Sequence, residues 1–252
     1  MTEELANDVT GAPPVGISDL FSRLGVTPYY KNHRCAVLHG DCREILIGLP
    51  DQTFDLLLTD PPYGVNYESA FFGKIVGDDG SLDVLACLRS AQRCLRDNRH
   101  LYVFGDYDLK SLPVGGVVEL VWDKGNHGGG DTNLPWSPQH EHIQFCVDAK
   151  RKSKTLRGSE GLSARIRRGS ILRVQKPNSS GIKYHATEKP VELLRQLIES
   201  SSIMGECVFD PFMGSGSTLV AAHREERYAV GIEIEERYCE TAAKRLEELG
   251  AW

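Results

Sequence analysis

The sequence predicts an α/β protein built on a doubly wound, mostly parallel sheet of about seven strands with an antiparallel edge. Two observations support this fold class. Several short runs are almost continuously apolar rather than alternating, which is typical of strands covered on both faces. Segments with apolar residues three and four positions apart lie between many of these runs. Such an alternation of strands and helices favours a sheet with helices on both sides.

Each predicted element is bounded by turn residues. The predicted strands are Cys35–Gly40, Phe54–Asp60, His100–Gly105, Val117–Asp123, His142–Asp148, Glu206–Phe212 and Tyr228–Ile234. The predicted helices are Leu82–Arg96, Pro190–Ile203, Ser217–Arg227 and Glu236–Leu249. No clear helical pattern separates the strands that begin at Val117 and His142, so these two are predicted to form an antiparallel edge pair.

The composition is that of an ordinary globular protein. The 252 residues are 40% hydrophobic and 25% charged, with a formal net charge of −6. No window approaches 18 consecutive apolar residues, so no membrane span is expected. The acidic segment MTEELANDVT lacks the pattern of a secretory signal. Seven cysteines without a CxxC pair are typical of a reduced, cytoplasmic protein without structural zinc.

The charge is unevenly distributed along the chain. Residues 1–149 carry 11 basic and 21 acidic side chains, whereas residues 150–189 carry 12 basic and 2 acidic ones. Residues 190–252 are acidic again, with 6 basic and 12 acidic side chains. A basic block inside an acidic chain is typical either of a solvated loop or of a surface that contacts phosphate groups. Charge alone does not separate these two interpretations.

The first motif with chemical content is DPPYG at residues 60–64, directly after a predicted strand. An acid such as Asp60, at the C-terminal end of a strand, stands where α/β sheets bind ligands. Pro61 and Pro62 remove two backbone donors and leave carbonyl acceptors, and Tyr63 adds a flat aromatic face. A turn rich in acceptors beside a stacking surface suits a planar group that bears an NH2. A rigid structural turn is the alternative.

The second motif is FDPFMGSGST at residues 209–218, between a predicted strand and a predicted helix. Gly214 and Gly216 permit a tight turn and close backbone approach at the helix N-terminus. Leu219 stands where a full GxGxxG pattern has its third glycine, and no lysine follows as in a phosphate-binding P-loop. Glu233 ends the next strand, where an acid can bind ribose hydroxyls. The series predicts a nucleoside-containing cofactor.

Together with HATEKP at residues 185–190, these motifs resemble the amino-DNA methyltransferases, which transfer a methyl group from S-adenosylmethionine to an exocyclic amine. The order of catalytic motif, basic segment, HATEKP and glycine loop resembles the β subclass of that family. The resemblance covers roughly residues 35–249 and implies a Rossmann-like fold with an inserted, basic target-recognition segment. Shorter matching pieces are Gly40-Asp41, VWDK at 121–124, His140-Glu141 and GIE at 231–233.

The resemblance also implies a division of the chain. Its segments are a loose N-terminal leader at 1–30, a catalytic half at 31–149, the basic target-recognition insert at 150–184 and a cofactor-binding half at 185–252. Residues 65–80 lie between glycines and suit either a lid over the substrate base or an ordinary loop.

The resemblance implies roles for three groups of residues. Hydrogen bonds from the amine of a flipped-out base to Asp60 and to the Pro61 carbonyl would localise its lone pair, while Tyr63 stacks on the base. The catalytic group is Asp60, Pro61, Pro62 and Tyr63. The cofactor group is Asp41, His185, Thr187, Lys189, Asp210, Pro211, Phe212, Gly214, Ser215, Gly216, Ser217, Thr218 and Glu233. The DNA-binding group is Lys150, Arg151, Lys152, Lys154, Arg157, Arg165, Arg167, Arg168 and Arg173.

The expected function is site-specific methylation of adenine N6 in double-stranded DNA of a bacterium or phage. In this family Asp at the first motif position is usual for N6-adenine enzymes, and Ser is commoner in N4-cytosine enzymes, although cytosine enzymes with Asp exist. Methylation of RNA or of a protein glutamine is a weaker alternative, because such enzymes often carry Asn there. A DNA-binding regulator without catalysis is another alternative, which the intact motifs disfavour. The resemblance is compatible with a homodimer. It is also compatible with a cognate restriction endonuclease that does not contact this protein directly.

Overall fold

The computed structural model describes residues 24–69, 73–125, 133, 135–148, 166–175, 184 and 188–250. The strands are β1 (Tyr30–Lys31), β2 (Cys35–His39), β3 (Phe54–Thr59), β4 (Glu68–Ser69), β5 (Gly73–Lys74), β6 (Leu95–Phe104), β7 (Val114–Asp123), β8 (His140–Asp148), β9 (Ile171–Arg173), β10 (Cys207–Asp210) and β11 (Tyr228–Glu233). The helices are α1 (Cys42–Gly48), α2 (Val84–Arg93), α3 (Val191–Ser201), α4 (Ser217–Arg224) and α5 (Glu236–Gly250), with a short 3₁₀ helix at Leu109–Ser111.

Among the described residues, nine strands form one sheet in the order β1-β2-β11-β10-β3-β6-β8-β7-β9. The five strands from β2 to β6 in this order are parallel. Strand β8 runs antiparallel to both of its neighbours, β6 and β7. The predicted mostly parallel sheet with an antiparallel edge is confirmed, and each of the predicted strands lies within it.

Helices cover both faces of the sheet, as the doubly wound prediction requires. Along β3, which is buried throughout, Leu57 belongs to the apolar cluster under α1 and α2. Its neighbours Leu56 and Leu58 belong to the cluster under α3, α4 and α5. Successive side chains of a strand point to opposite faces, so these two clusters lie on opposite sides of the sheet. The near-continuous apolar run is explained by this double coverage.

The connections diverge between β3 and β10, and this divergence positions the functional site. Strand β10 leads through α4 to β11 on one side, and β3 leads through α2 to β6 on the other. The crevice left at their C-terminal ends is where open α/β sheets bind ligands. Thr59 ends β3 and donates a hydrogen bond of 2.7 Å to the carboxylate of Asp210, which ends β10. The DPPYG and FDPFMGSGST motifs therefore begin side by side.

The N-terminal part of the described chain packs more closely than the sequence predicts. Leu24 is fully buried in the core, and β1 pairs antiparallel with β2. The predicted loose leader at 1–30 therefore extends too far, because its last residues already pack against the folded part of the chain. Helix α1 lies outside the predicted helices because its seven residues are too few to show a clear period.

The described part of the basic insert contributes a strand to the sheet. Strand β9 pairs in parallel with β7, and the Trp122 indole donates a hydrogen bond of 2.7 Å to the Val174 carbonyl. Three residues carry too little pattern to predict a strand from sequence. Residues 150–165 and 176–183 lie outside the described residues.

All seven cysteines are free and buried, so they act as small apolar residues of the core. None of the helices in the described ranges is long and apolar enough to cross a membrane. Within the same ranges, no group of three or more His, Cys, Asp and Glu side chains is arranged to hold a metal ion.

Candidate active site

A cavity of about 430 Å³ lies at the C-terminal ends of the parallel strands. It is bounded by the loops after β2, β3, β10 and β11 and by the segment before α3. The predicted catalytic and cofactor residues that line it are Asp41, Asp60, Pro61, Pro62, Tyr63, Lys189, Asp210, Pro211, Phe212, Gly214, Ser215, Ser217, Thr218 and Glu233. Gly216 is the described member of these groups that does not line it, and His185 and Thr187 lie outside the described residues.

Both carboxylate oxygens of Asp60 have a donor. The Tyr63 hydroxyl donates to Oδ1 at 2.8 Å, and the Lys189 ammonium donates to Oδ2 at 2.5 Å. Burial raises the pKa of the Asp60 carboxyl, and the charge and hydrogen bond of Lys189 oppose this effect. Each oxygen keeps acceptor capacity for a further donor. The carboxylate is therefore oriented and still able to accept hydrogen bonds from a substrate.

Lys189 points to the catalytic motif rather than to the glycine loop. Its side chain is 6% exposed, and its Nζ lies 3.4 Å from Oε2 of Glu141 and 5.0 Å from the centre of the Phe104 ring. Burial alone would lower the pKa of Lys189, but the charges of Asp60 and Glu141 raise it above its usual value. The structure therefore places Lys189 in contact with the catalytic motif, and its predicted contact with the cofactor stays a prediction.

The proline carbonyls of the motif are held by a tyrosine that the sequence analysis did not single out. The Tyr107 hydroxyl lies 3.3 Å from the Pro61 carbonyl oxygen and donates to the Pro62 carbonyl at 2.8 Å. At Gly105, where φ is +95°, an added Cβ would lie 2.9 Å from the Tyr63 ring. Glycine is therefore needed there. The sequence could have pointed to Tyr107, because this residue follows a predicted strand that ends at the same edge of the sheet as the strand before DPPYG.

The predicted lid segment forms one wall of the cavity. Asp78 is buried and accepts hydrogen bonds from the backbone N–H groups of Gly64 at 2.8 Å and Tyr67 at 2.7 Å. Tyr67 and Val76 both line the cavity while remaining exposed to solvent. Asp78 therefore ties this wall to the catalytic turn. Residues 70–72 lie outside the described ranges.

The two glycines of the second motif have different tasks. Both adopt the left-handed conformation, with φ of 52° at Gly214 and 80° at Gly216. Gly214 lines the cavity, and its N–H donates to Oε2 of Glu233 at 3.0 Å. Gly216 faces α5, where an added Cβ would lie 2.7 Å from the Cβ of Ala242. Gly216 thus has a packing role that lets the loop approach α5, and its predicted contact with the cofactor stays a prediction.

A buried arginine fixes the glycine loop from the side of α5. Arg245 donates to the Ser215 carbonyl at 2.8 Å, and its guanidinium lies 2.8 Å from Oε1 of Glu188. The Ser217 hydroxyl also donates to Glu188, at 3.0 Å. Ser217 is therefore engaged within the protein. The helical pattern did not indicate Arg245, because only tertiary packing distinguishes a buried arginine from one on a solvated helix face.

Burial raises the pKa of two acids at the cofactor side of the cavity. The pKa of Glu233 rises to about 7 and that of Asp210 to about 6. The Glu233 carboxylate accepts backbone hydrogen bonds from Glu235 at 2.8 Å and from Gly214 at 3.0 Å. Both acids are thus poised near neutral pH, where a ligand that donates hydrogen bonds favours their ionised form.

Asp41 combines two contacts at the mouth of the cavity. Its side chain caps α1 by accepting from the Arg43 N–H at 2.8 Å, and it also accepts from the Arg43 guanidinium. These hydrogen bonds from Arg43 lower the pKa of the Asp41 carboxyl. The carboxylate remains ionised beside the loops that carry Gly214 and Glu233.

Three residues of the predicted DNA-binding group lie in described ranges. The side chain of Arg173 is 76% exposed, and β9 ends at the same edge of the sheet as β3. Arg167 is exposed, whereas Arg168 is paired with Glu199 of α3 at 2.5 Å. The structure does not describe Lys150, Arg151, Lys152, Lys154, Arg157 and Arg165.

Comparison with known sequences identifies one matching family. The family model of N6 and N4 methyltransferases, described as DNA methylase, matches residues 54–244. The match includes the catalytic turn, the glycine loop and Glu233. The Type II methyltransferase M.HinfI of Haemophilus influenzae is 27% identical over 247 residues, which cover 84% of this chain and 68% of the relative.

Solved structures with the same fold include two methyltransferases. The M1.HpyAVI–SAM complex has a TM-score of 0.61 at 23% identity, covering 84% of this chain and 98% of that one. The PvuII DNA methyltransferase, which is cytosine-N4-specific, has a TM-score of 0.64 at 17% identity, covering 88% and 89% of the two chains. These similarities confirm the predicted fold.

Replacing Gly216 with alanine should destabilise the protein. The new Cβ would meet Ala242 and would occupy a backbone conformation that costs non-glycine residues energy. We expect the free energy of unfolding to fall by about 2 kcal/mol or more in urea titrations. Gly48→Ala is the matched control, since Gly48 ends α1 with no atom near its Cβ position. Equal stability of the two variants would contradict the packing role of Gly216.

Proposed function

The chain belongs to the DNA methylase family of N6 and N4 methyltransferases, and from this premise we propose that it methylates the N6 amine of adenine in double-stranded DNA. The observation that carries the proposal is the Asp60 carboxylate, which lines the cavity and is oriented by Tyr63 and Lys189. This carboxylate can accept a hydrogen bond from an exocyclic amine, and it lies beside the residues proposed to bind the cofactor. S-adenosylmethionine is the methyl donor of this family.

The residues of the cavity fit this cofactor. Its volume of about 430 Å³ lies in the usual range for a small-molecule site. Gly214 has no side chain, so a ligand can approach the backbone closely near the N-terminal end of α4. Glu233, at the end of β11, offers a carboxylate that can accept hydrogen bonds from ribose hydroxyls. Asp210 and Asp41 supply further acceptors. When bound, S-adenosylmethionine supplies an electrophilic methyl group carried by a sulfonium.

The protein's own contribution to the reaction is orientation and hydrogen bonding. The lone pair of an aromatic amine is delocalised into the ring, so the amine is a poor nucleophile. Hydrogen bonds from its NH2 to Asp60 and to the Pro61 carbonyl would draw the lone pair back to nitrogen and aim it. Tyr107 holds both proline carbonyls in place. Asp60 needs only modest basicity, because the amine proton becomes acidic as the methyl group arrives.

Access to the amine requires base flipping, since the exocyclic amine is paired inside a duplex. Tyr63 contacts Asp60, and the exposed Tyr67 lines the same cavity; both rings suit stacking with an extruded base. Adenine is favoured over cytosine by the aspartate at the first motif position. N4-cytosine methylation is the second candidate, and the PvuII-like fold is compatible with it.

The charge distribution suits docking of DNA at the edge that carries the cavity. Strand β9 brings Arg173 to this edge, four strands from β3, which corresponds to about 19 Å. That separation is comparable to the width of a DNA duplex. The remainder of the chain is acidic and would repel nucleic acid, so one docking orientation is favoured.

Incubation of DNA with tritiated S-adenosylmethionine, followed by nucleoside analysis, tests the proposal directly. We expect label in N6-methyladenosine and none in N4-methylcytidine. The Asp60→Ala variant should lose at least about 100-fold in kcat while retaining cofactor affinity, because its acceptor acts on the amine. Label in N4-methylcytidine would establish the second candidate, and full activity of Asp60→Ala would remove Asp60 from the mechanism.

Cofactor affinity should depend on the protonation of Glu233. Its pKa of about 7 is raised by burial, so the carboxylate is ionised above that pH and loses its charge below it. Ribose hydroxyls donate more strongly to the ionised form, so affinity should fall by up to about tenfold per pH unit below 7. Calorimetric titration between pH 6 and pH 8 would measure this.

The Glu233→Gln variant should bind S-adenosylmethionine weakly at pH 8 and show little further change with pH. Glu240→Gln serves as the control, because Glu240 is an exposed residue of α5 paired with Lys244. An unchanged pH dependence in Glu233→Gln would exclude Glu233 as the titrating group.

Reversing the charge of Arg167 should weaken DNA binding without changing cofactor affinity. Arg167 is exposed and has no acidic partner among the described residues, whereas reversal of Arg168 would also break its pair with Glu199. We expect Arg167→Glu to lower the affinity for DNA severalfold, and this difference in affinity should diminish as salt is added. Arg89→Glu, on the exposed side of α2, is the control. Equal DNA affinities of the two variants in a salt series would place Arg167 away from the DNA.

A further inference from the structure

We infer that Lys189 is a positioning residue that keeps the Asp60 carboxylate ionised and aimed at the amine, and that Glu141, itself held by Lys124, keeps Lys189 in place. This inference rests on the proposed role of Asp60 as the acceptor for the amine. It assigns roles to three charged residues beyond the catalytic motif.

The four residues form a chain of alternating charge across one end of the sheet. Lys124 Nζ lies 2.8 Å from Glu141 Oε1, and Glu141 Oε2 lies 3.4 Å from Lys189 Nζ. Lys189 Nζ lies 2.5 Å from Asp60 Oδ2. Lys124 follows β7, Glu141 belongs to β8, and Lys189 stands before α3. Elements distant in sequence thus converge on a single carboxylate.

The burial of Lys189 separates this chain from an ordinary surface ion pair. Exposed pairs contribute little, because water solvates each partner and salt screens them. The Lys189 side chain is only 6% exposed, and its Nζ lies 5.6 Å from the centre of the Tyr63 ring and 5.0 Å from that of Phe104. An ammonium at this depth needs negative partners; Asp60 accepts its hydrogen bond, and Glu141 adds a second negative charge at 3.4 Å. Its position is therefore tightly constrained.

The charged and titratable groups around Asp60 explain why a cation is needed there. Asp60 is faced by Tyr63 of its own turn, Tyr107 after β6, Glu141 of β8, Asp210 at the end of β10 and Lys189. Within this set, Lys189 is the cation in contact with Asp60. Burial and the negative charge of Glu141 both favour a protonated Asp60, and Lys189 opposes them.

Loss of the Lys189 charge should therefore impair Asp60 in two ways. The carboxyl would retain its proton to a higher pH, and a protonated oxygen no longer accepts a hydrogen bond from the amine. The carboxylate would also lose one of its two orienting donors and rotate more freely. Both effects act on kcat, whereas the cofactor contacts at Gly214 and Glu233 remain intact.

The test compares pH profiles of kcat, at saturating DNA and S-adenosylmethionine, for the full-length enzyme and its variants. Lys189→Met keeps the length of the side chain but removes its charge. We expect kcat at pH 7 to fall about 10- to 100-fold and the acidic limb of the profile to move upward by about one pH unit or more. The dissociation constant of S-adenosylmethionine should change less than about twofold, which also reports a folded protein.

Two further variants separate charge from general structural damage. Lys189→Arg restores a cation and should recover the position of the acidic limb, with part of kcat. Glu141→Gln removes a negative charge that favours protonation of Asp60, so it should lower kcat severalfold without moving the acidic limb upward. Lys244→Met, at an exposed pair on α5, is the matched control and should behave like the unmodified enzyme.

Two results would overturn the inference. One is a Lys189→Met enzyme with an unchanged kcat and pH profile. The other is a Lys189→Met enzyme whose main defect is weaker binding of S-adenosylmethionine, which would return Lys189 to the cofactor group. Failure of the proposed function is distinguishable, because the unmodified enzyme would then leave no label in N6-methyladenosine, whereas failure of the role of Asp60 would appear as an active Asp60→Ala enzyme.

Discussion

The structure depends on the side-by-side placement of the ends of β3 and β10. The Phe54 and Phe209 rings stack at 4.2 Å between the two strands, and at their ends the Thr59 hydroxyl donates to Asp210. Because the chain connections diverge between these strands, the acceptors of the DPPYG turn and the backbone of the glycine loop face one cavity. A substrate amine and a methyl donor can be brought together only where these two loops adjoin.

The site concentrates buried charge, and its architecture follows from the cost of desolvating that charge. Asp60 and Glu141 are balanced by Lys189 and Lys124 on the catalytic side, and Arg245 is matched by Glu188 behind the glycine loop. Removing a single partner of such a group leaves an uncompensated charge in a poorly solvated place. Burial raises the pKa of Glu233, and no cationic partner among the described residues opposes this effect. The acids on the catalytic side are therefore paired with cations, whereas Glu233 on the cofactor side is not.

Several functional contacts were beyond sequence reasoning for physical reasons. Lys189 was assigned to the cofactor from the family resemblance, and only the structure shows that its long side chain reaches Asp60. Gly216 belongs to the glycine motif but serves packing against Ala242. Arg245 and Tyr107 stand in unremarkable local patterns. In each case the placement of the group against a distant part of the chain decided the contact, and no linear spacing encodes that placement.

Apolar runs, turn residues and motifs were enough to predict the fold class, seven of the nine described strands of the main sheet, the family and the two motifs that line the cavity, because apolar runs and turn residues act locally and the motif residues sit at strand ends. The partners that hold these residues became visible only in three dimensions. The chain Lys124–Glu141–Lys189–Asp60 joins residues from four separate parts of the sequence, and the short strands β1 and β9 exist only because longer neighbours supply their hydrogen bonds. Such contacts arise from burial and pairing, which become defined when the sheet is assembled.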